Sequence, residues 1–334
     1  MSKVYMPIMP PRRAISRGVI FILAFIAGGL VWLTVFYGGL WLLRRTDRLP
    51  PTPVSGTWCI DSRLAWLKDN PRWKQAELIA VGSSVTWRNL DFEVISAPDR
   101  EKVVNAAPCY LTINQTRYLT SYLVEKAPDV KTVMMVVAPR DFDGCARNPD
   151  AFFDRELVDD YLNRRVSGVW LRFRNFRARD VLTYAVNAEQ RRSDLVYDDH
   201  GSGPLTRQVP DIGWAVEPET ACYAELTGMA KFLDSKNIQF VLVTLPLMRG
   251  WSERYDPEQS LAEELRLRIA AALEPTRAIL VDGIAEWQLP TEALADPAHL
   301  QWPQTAAFTE FVWNAAQKRG AQLPPLRQTT GQSK

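Results

Sequence analysis

The sequence predicts an α/β protein: a three-layer α/β/α sandwich on a five-stranded parallel sheet, preceded by one transmembrane helix. Five short apolar runs lack the polar alternation of a half-exposed strand, which indicates strands buried on both faces. Segments with helical periodicity separate most of these runs, and such alternation is typical of a parallel sheet covered by helices. A long uncharged stretch near the N-terminus predicts the membrane helix.

The composition excludes several classes of protein. With 334 residues, 47% hydrophobic and 23% charged, the chain is neither a disulfide-stapled miniprotein nor a disordered one. The formal net charge is +2, but residues 1–48 hold seven basic groups and one acidic group, which leaves the remainder at −4. A mildly acidic domain of this kind argues against nucleic acid as a partner.

The membrane helix is predicted over residues 18–43, which carry no charge between Arg17 and Arg44. This run exceeds the roughly 7–15 residues of a signal-peptide core and no small-residue cleavage site follows, so we expect an uncleaved anchor. Four basic residues precede the span and three follow it, which weakly favours a cytoplasmic segment 1–17. We therefore expect a single-pass protein of the cytoplasmic (inner) membrane with its domain on the periplasmic or extracellular side.

The elements after the span follow in a regular order. Residues 44–56 form a linker whose second half is rich in proline, and residues 57–325 form the folded domain. The predicted strands are 77–82, 103–107, 132–138, 238–245 and 278–282. The predicted helices are 115–127, 219–236, 260–274 and 304–318. The polar residues 326–334 are expected to be a disordered tail.

An insertion of about residues 145–218 interrupts the alternation between the third and fourth strands. Residues 151–197 have a helical pattern, and 198–218 read as a loop rich in Gly and Pro. Within it, 169–180 interleaves aromatic residues with arginines. Two interpretations stay open: a surface for lipid headgroups, a glycan or a protein, or a helix with its aromatics packed inward.

The four cysteines contain no CxxC pair, so a zinc or thioredoxin-type site is not expected, and neither is any other metal site. An even number in an exported domain allows disulfides. Cys109 and Cys145 follow the second and third strands, which makes them a candidate pair, and Cys59 with Cys222 would be the other.

The catalytic candidates lie where strands end, because ligands bind outside the carboxyl ends of parallel strands. The first strand ends in Gly82-Ser83-Ser84, and only two histidines are available as a base for serine chemistry. Asp296 and His299 are spaced to let a carboxylate meet an imidazole. His200, in a polar loop expected at the surface, is the alternative base. Asp282 is either a second candidate acid or, as we favour, a capped strand end.

Four segments together resemble the blocks of the SGNH (GDSL-like) hydrolase superfamily over roughly residues 75–320. These are AVGSSVTWRN, VNAAPCYLTINQ, VVAPRDF and DPAHLQWPQTAAFTEFV. The resemblance implies Ser84 as nucleophile, His299 as base, Asp296 as acid, a five-stranded α/β/α sandwich and no cofactor. The Gly-Ser-Ser form is similar to the D-alanine transfer protein of teichoic acid synthesis and to the alginate O-acetylation proteins.

The chain departs from the family pattern at three positions. Ser83 replaces an aspartate, and the oxyanion glycine of the second block is missing, so a backbone N–H near Ala107 is expected to join that of Ser84. Arg140-Asp141 stands where the family has an asparagine. Arg140 is either an oxyanion donor or the partner of Asp141 or Asp143 in an ion pair.

Substrate contacts are expected from Trp87, Arg88 and Asp141, although Trp87, Arg88 and Asn89 would serve equally well in packing a first helical turn. The resemblance implies a membrane-anchored serine acyltransferase that acylates an exported or cell-envelope polysaccharide beside a membrane-bound O-acyltransferase. The alternatives are an esterase acting on a glycan or lipid ester, and a non-catalytic scaffold of an acylation complex.

Overall fold

A computed structural model describes residues 16–205, 213–290 and 293–327. Its centre is a five-stranded sheet in the order β2-β1-β3-β4-β5 with every pairing parallel, as predicted. The strands are β1 (Leu78–Ala80), β2 (Val103–Asn105), β3 (Thr132–Val137), β4 (Gln239–Thr244) and β5 (Ile279–Val281). A separate antiparallel pair, β6 (Leu294–Asp296) and β7 (His299–Leu300), was not predicted.

Helices connect and flank these strands. They are α1 (Arg17–Arg45), α2 (Trp58–Asp69), α3 (Ser84–Asn89), α4 (Ala97–Arg100), α5 (Ile113–Lys126), α6 (Arg155–Leu162), α7 (Gly168–Arg174), α8 (Ala178–Val186), α9 (Ala188–Asp194), α10 (Thr220–Ser235), α11 (Arg249–Tyr255), α12 (Ser260–Leu273), α13 (Gly283–Glu286) and α14 (Trp302–Lys318). Short 3₁₀ helices span Pro71–Gln75, Phe92–Val94 and Pro139–Phe142.

Both faces of the sheet are buried, which explains why the strands read as continuous apolar runs. Along β3, Val133 and Met135 contribute to one hydrophobic core while Met134 and Val136 contribute to another. All six residues of β3 are buried, because a hydrophobic core covers each face of the strand. Strands β1 and β3 are adjacent and parallel, so both run toward the same edge of the sheet.

Helix α1 has 29 residues, none of them buried, and is long and apolar enough to cross a membrane. The predicted cytoplasmic segment 1–17 lies mostly outside the described residues. The chain divides into two compact units, one comprising Met1–Leu49 and Ala178–Glu189, the other Pro50–Arg177 and Gln190–Lys334. All of the candidate catalytic residues belong to the second unit.

The insertion is helical where predicted, with α6 to α9 between residues 155 and 194. The described parts of the predicted loop contain neither helix nor strand, and residues 206–212 lie outside the description. The predicted disordered tail is wrong at its start: Leu326 pairs with Ile95, and the Arg327 N–H donates to the Val94 carbonyl at 2.7 Å. Residues 328–334 are not among those described.

A buried arginine joins three distant segments beside the sheet. Arg63 on α2 is 1% exposed and donates to the carbonyl oxygens of Asn105 and Gly201 at 2.9 and 2.8 Å. Its guanidinium also lies over the rings of Trp66, Trp87 and Tyr197. Burial lowers the pKa of Arg63 to about 10, so it stays charged at neutral pH.

The cysteines form two disulfides, Cys59–Cys109 and Cys145–Cys222, with Cα–Cα distances of 6.1 and 5.3 Å. The candidate pairs Cys109–Cys145 and Cys59–Cys222 were therefore wrong. Strand β1 lies between β2 and β3, so the segments that follow β2 and β3 are not neighbours. Cys109 instead meets α2, and Cys145 meets α10.

Candidate active site

The turn from β1 into α3 carries the candidate nucleophile. Gly82 has φ of 138°, and a Cβ there would lie 2.2 Å from Thr86 Oγ1, so the turn requires glycine. Ser83 caps α3 by accepting the Val85 N–H at 3.1 Å. Ser84 is the first residue of the helix and is 5% exposed.

Thr86 locks this turn onto the neighbouring strand. Its hydroxyl donates to the Val136 carbonyl and accepts the Val136 N–H, both at 2.9 Å. Strand β1 ends at Ala80 while β3 continues to Val137, so this part of β3 has no β1 residue beside it. The threonine hydroxyl takes the place of the missing strand and satisfies both backbone groups.

The buried carboxylate of Asp141 supports the same turn through two hydrogen bonds. Its carboxylate accepts the Ser83 hydroxyl at 2.6 Å and the Ala138 N–H at 2.8 Å. Burial raises the pKa of Asp141 to about 6, although both hydrogen bonds lower it. The predicted contact of Asp141 with substrate is not what the structure shows, since Asp141 is 2% exposed and both of its oxygens are engaged within the protein.

The structure brings Asp296 and His299 together across the β6–β7 turn. His299 Nδ1 lies 2.9 and 2.7 Å from the two carboxylate oxygens, and the Ala298 N–H donates to Asp296 at 2.9 Å. With Nδ1–H donated to the carboxylate, Nε2 is left as the proton acceptor. Nε2 is buried and has no hydrogen-bond partner among the described residues.

The environment keeps the imidazole neutral. Burial lowers the pKa of His299; Asp296 opposes this shift, and the charges of Arg88 and Arg140 add to it. Burial alone would raise the pKa of Asp296, but its interactions with His299 and the Ala298 N–H bring it below the ordinary value. At neutral pH the pair is therefore a carboxylate beside a neutral histidine, the state a general base requires.

Asn89, the last residue of α3, holds the histidine segment from both sides. Its side-chain amide donates to the Ala298 carbonyl at 2.9 Å, and its oxygen accepts the Leu300 N–H at 2.6 Å. These two bonds bracket His299. The sequence predicts only a packing role for Asn89 in the first helical turn, because a hydrogen bond across more than 200 positions leaves no local signal.

Helix α3 packs against β7, so the segments that carry Ser84 and His299 are neighbours. No hydrogen bond joins Ser84 Oγ to His299 Nε2 in the structure. Catalytic hydrogen bonds are often long or absent until substrate binds. The structure thus assembles the acid–base pair and places the serine helix beside it, without the proton-transfer contact itself.

Arg140 faces a cavity that it shares with Asp296, Trp214 and Trp251. Its guanidinium lies 5.2 Å from the Trp214 ring centroid and 5.8 Å from that of Tyr110. The alternative of an ion pair with Asp141 or Asp143 is not found among the described residues, since Asp143 pairs with Arg147. Arg140 is thus placed as a cation at the edge of the acid–base pair.

The other predicted contacts are largely interior. Trp87 is 1% exposed and packs against Tyr197 with a centroid distance of 5.2 Å. Arg88 donates through Nη2 to the Asp194 carbonyl at 2.6 Å, while its buried Nη1 has no described partner. The Ala107 N–H, a candidate oxyanion donor, donates to Asn105 Oδ1 at 3.2 Å.

Asn105 at the end of β2 is a further supporting residue that sequence analysis did not single out. Its side-chain amide donates to the carbonyl oxygens of Thr86 and Trp87, each at 3.2 Å. It therefore fixes α3 from the side opposite β3. A polar residue ending an apolar strand is a sequence signal for such a role.

The alternative acid and base take other roles. Asp282 accepts the Ala285 N–H at the start of α13 and pairs with Arg266, as expected for a capped strand end. His200 is 3% exposed, so its expected place on the surface was wrong. Its carbonyl accepts the Asn105 N–H at 2.8 Å, and this hydrogen bond joins the loop to the end of β2. Its Nε2 lies 3.4 Å from Glu93.

Among the described residues, no group of three or more His, Cys, Asp or Glu side chains is arranged to hold a metal ion. No protein-family model matches this chain. No curated protein matches it either.

Proposed function

We propose that this chain is a membrane-anchored, extracytoplasmic serine acyltransferase of the SGNH type. It would transfer an acetyl or other acyl group to an exported or cell-envelope polysaccharide through an acyl-Ser84 intermediate. The observation that carries the proposal is the Asp296–His299 pair, whose buried Nε2 lacks a partner beside the helix that begins at Ser84. The five-stranded parallel sheet fits the three-layer sandwich that the resemblance implies.

The first half-reaction forms the acyl-enzyme. Ser84 Oγ attacks the acyl carbonyl of an ester or thioester donor while His299 Nε2 takes the hydroxyl proton. The Ser84 N–H and Arg140 stabilise the oxyanion. Collapse of the tetrahedral intermediate breaks the bond to the leaving group, which receives the proton from His299. Asp296 holds the imidazole in the required tautomer throughout.

The second half-reaction delivers the acyl group. A sugar hydroxyl attacks acyl-Ser84 as His299 removes its proton, and collapse releases the sugar ester and returns the proton to Ser84 Oγ. Water in place of the sugar would make the same protein an esterase. The anchor favours transfer, because a membrane-bound O-acyltransferase would supply acyl groups at the surface where α1 holds the domain.

The nucleophile can be tested with a fluorophosphonate probe on the full chain in membranes. We expect wild type to be labelled and Ser84→Ala and His299→Ala to lose labelling. Ser83→Ala is the matched control: the neighbouring serine bonds Asp141 rather than His299, so that variant should remain labelled. Labelling that survives Ser84→Ala, or depends on Ser83, would contradict the assignment.

The acceptor is tested separately with an activated acetyl ester. We expect acetate release by the full chain to fall, and acetylated sugar to appear, when oligosaccharide is added. Acetate release that no sugar alters would favour the esterase. A chain that neither labels nor releases acetate would favour the scaffold.

A further inference from the structure

The short helix α7 in the insertion exposes most of its apolar side chains. Leu171 is its one buried residue, whereas Val169, Trp170 and Phe173 are 53%, 47% and 43% exposed. Phe176, just beyond the helix, is 43% exposed. We call these four residues, Val169, Trp170, Phe173 and Phe176, the insertion surface. A cluster of exposed aromatic side chains on a soluble domain marks a place where something else binds.

Arginines predominate in the segment that carries the insertion surface. Residues 168–180 contain four arginines, Arg172, Arg174, Arg177 and Arg179, and one acidic residue, Asp180. The Arg174 guanidinium lies 5.2 Å from the Trp170 ring centroid. The domain as a whole is mildly acidic, so this is a local basic patch. A segment that combines basic residues with exposed Trp and Phe side chains is of the kind that lies in the headgroup region of an anionic bilayer.

The insertion surface is fastened to the linker that follows the membrane helix. Arg172 Nη1 donates to the Pro51 carbonyl at 3.4 Å, and Asn175 Nδ2 donates to the Pro53 carbonyl at 2.9 Å. Gly168 lies against Thr52, since a Cβ there would be 3.3 Å from the threonine hydroxyl. These contacts fix α7 along residues 51–53.

The proposed membrane helix is therefore only a short distance along the chain from the residues that contact α7. Helix α1 ends at Arg45, and the six residues from there to Pro51 can span at most about 20 Å when fully extended. A lipid surface is present at that distance in every molecule, at a high effective concentration, whereas a glycan or protein partner must be recruited.

We propose that the insertion surface lies in the lipid headgroup region of the leaflet from which the C-terminal end of α1 emerges. Trp170 and Phe173 enter the boundary between headgroups and acyl chains, and Arg174, beside Trp170, binds a lipid phosphate. The domain then has two attachments to the membrane, one spanning and one lying on it. This contact does not depend on the proposed chemistry.

The test uses the full chain in nanodiscs that contain anionic phospholipid. Among the described residues no cysteine is free, so Val169→Cys provides a single thiol for a bimane label. Leu267→Cys on α12 is the matched control, because Leu267 is also an exposed apolar helical residue, at 61%. We expect headgroup-region nitroxide lipids to quench the label at position 169 and not at 267, and aqueous iodide to do the reverse.

Equal quenching by iodide at both positions, with none by nitroxide lipid, would overturn the proposal. A label at 169 shielded from both quenchers would also overturn it, by showing that protein covers the surface. Trp170→Glu adds a second arm: quenching of the 169 label by lipid should be lost while the thermal unfolding transition is unchanged. Retained quenching in that variant would contradict the role of the aromatic residues.

Discussion

At the scale of single residues, the site depends on a histidine that stays neutral because of where it is buried. Burial and two arginines lower the pKa of His299 below its ordinary 6.5, against the pull of Asp296. Only the neutral imidazole accepts the serine proton. The base is therefore active at neutral pH and is lost only as the pH falls through this depressed pKa.

The depressed pKa of His299 predicts the pH dependence of Ser84 acylation by the probe. The rate should be near its maximum at pH 8 and reach half of that maximum only below pH 6.5, which a series of labelling rates between pH 4.5 and 8 measures. Asp141→Asn is the control, because Asp141, with its pKa of about 6, also titrates in this range. A rate that is half-maximal at or above pH 6.5 would assign the titration to another group. So would an Asp141→Asn variant whose labelling rate no longer falls at low pH.

Asn89 gives a second prediction at this scale. Asn89→Ala removes both hydrogen bonds that bracket His299 and leaves the buried Ala298 carbonyl and Leu300 N–H unpaired. We expect the free energy of unfolding to fall by about 2–4 kcal/mol. We also expect kcat to fall far more than KM rises, because the base is displaced rather than the binding surface.

The control for that change is Asn70→Ala, because among the described residues the Asn70 side chain bonds only the Trp66 carbonyl of the helix that it caps. Chemical denaturation and steady-state ester hydrolysis measure both variants. An Asn89→Ala protein with altered stability but an unchanged kcat would show that the residue is structural only.

At the scale of elements, the five sheet strands and the helices α5, α10, α12 and α14 were predictable, whereas α2 and the supports of the site were not. The run over 132–138 was recognised because a strand buried on both faces has no polar alternation. The β6–β7 pair was missed because two- and three-residue strands leave no periodicity. Thr86 bonds the backbone of β3, and Asn105 bonds the backbone of α3. Their roles depend on how these elements pack and not on the residues next to them in the sequence.

The β1–α3 turn provides a prediction about glycine. Gly82→Ala should lower the free energy of unfolding by roughly 2 kcal/mol or more, since it adds a strained φ and a contact with Thr86 Oγ1. Gly56→Ala is the matched control, because Gly56 also has positive φ but open space around it. Equal losses in the two variants, measured by denaturant unfolding, would show that Thr86 yields and that only the backbone matters.

At the scale of the whole molecule, the candidate membrane span and the disulfides are consistent with the proposed extracytoplasmic compartment. Helix α1 supplies one candidate span, and the two disulfides join all four cysteines. Disulfides persist on the oxidising side of a membrane. Together they support the proposed extracytoplasmic placement more strongly than the four-to-three count of flanking charges does.

This placement predicts how the thiols react. In cells lysed under alkylating conditions, the full chain should resist a thiol-reactive mass tag until a reductant is added, and should then gain four tags. A chain that gains tags without reductant would place the domain in a reducing compartment. Cys145→Ser with Cys222→Ser should remove two tags and cost about 2–5 kcal/mol of stability, while leaving Cys59 and Cys109 protected.

The reach of Arg63 along the sequence has a consequence for biosynthesis. Its two carbonyl partners follow it by 42 and 138 residues, so the guanidinium stays incompletely bonded until Gly201 has been made. At 5–20 residues per second, that interval is roughly 7–28 s. During this time the nascent chain exposes a charge and the rings of Trp66 and Trp87, and the third ring, Tyr197, arrives only with the insertion. The first half of the domain therefore cannot complete its packing around Arg63 until the insertion has been made.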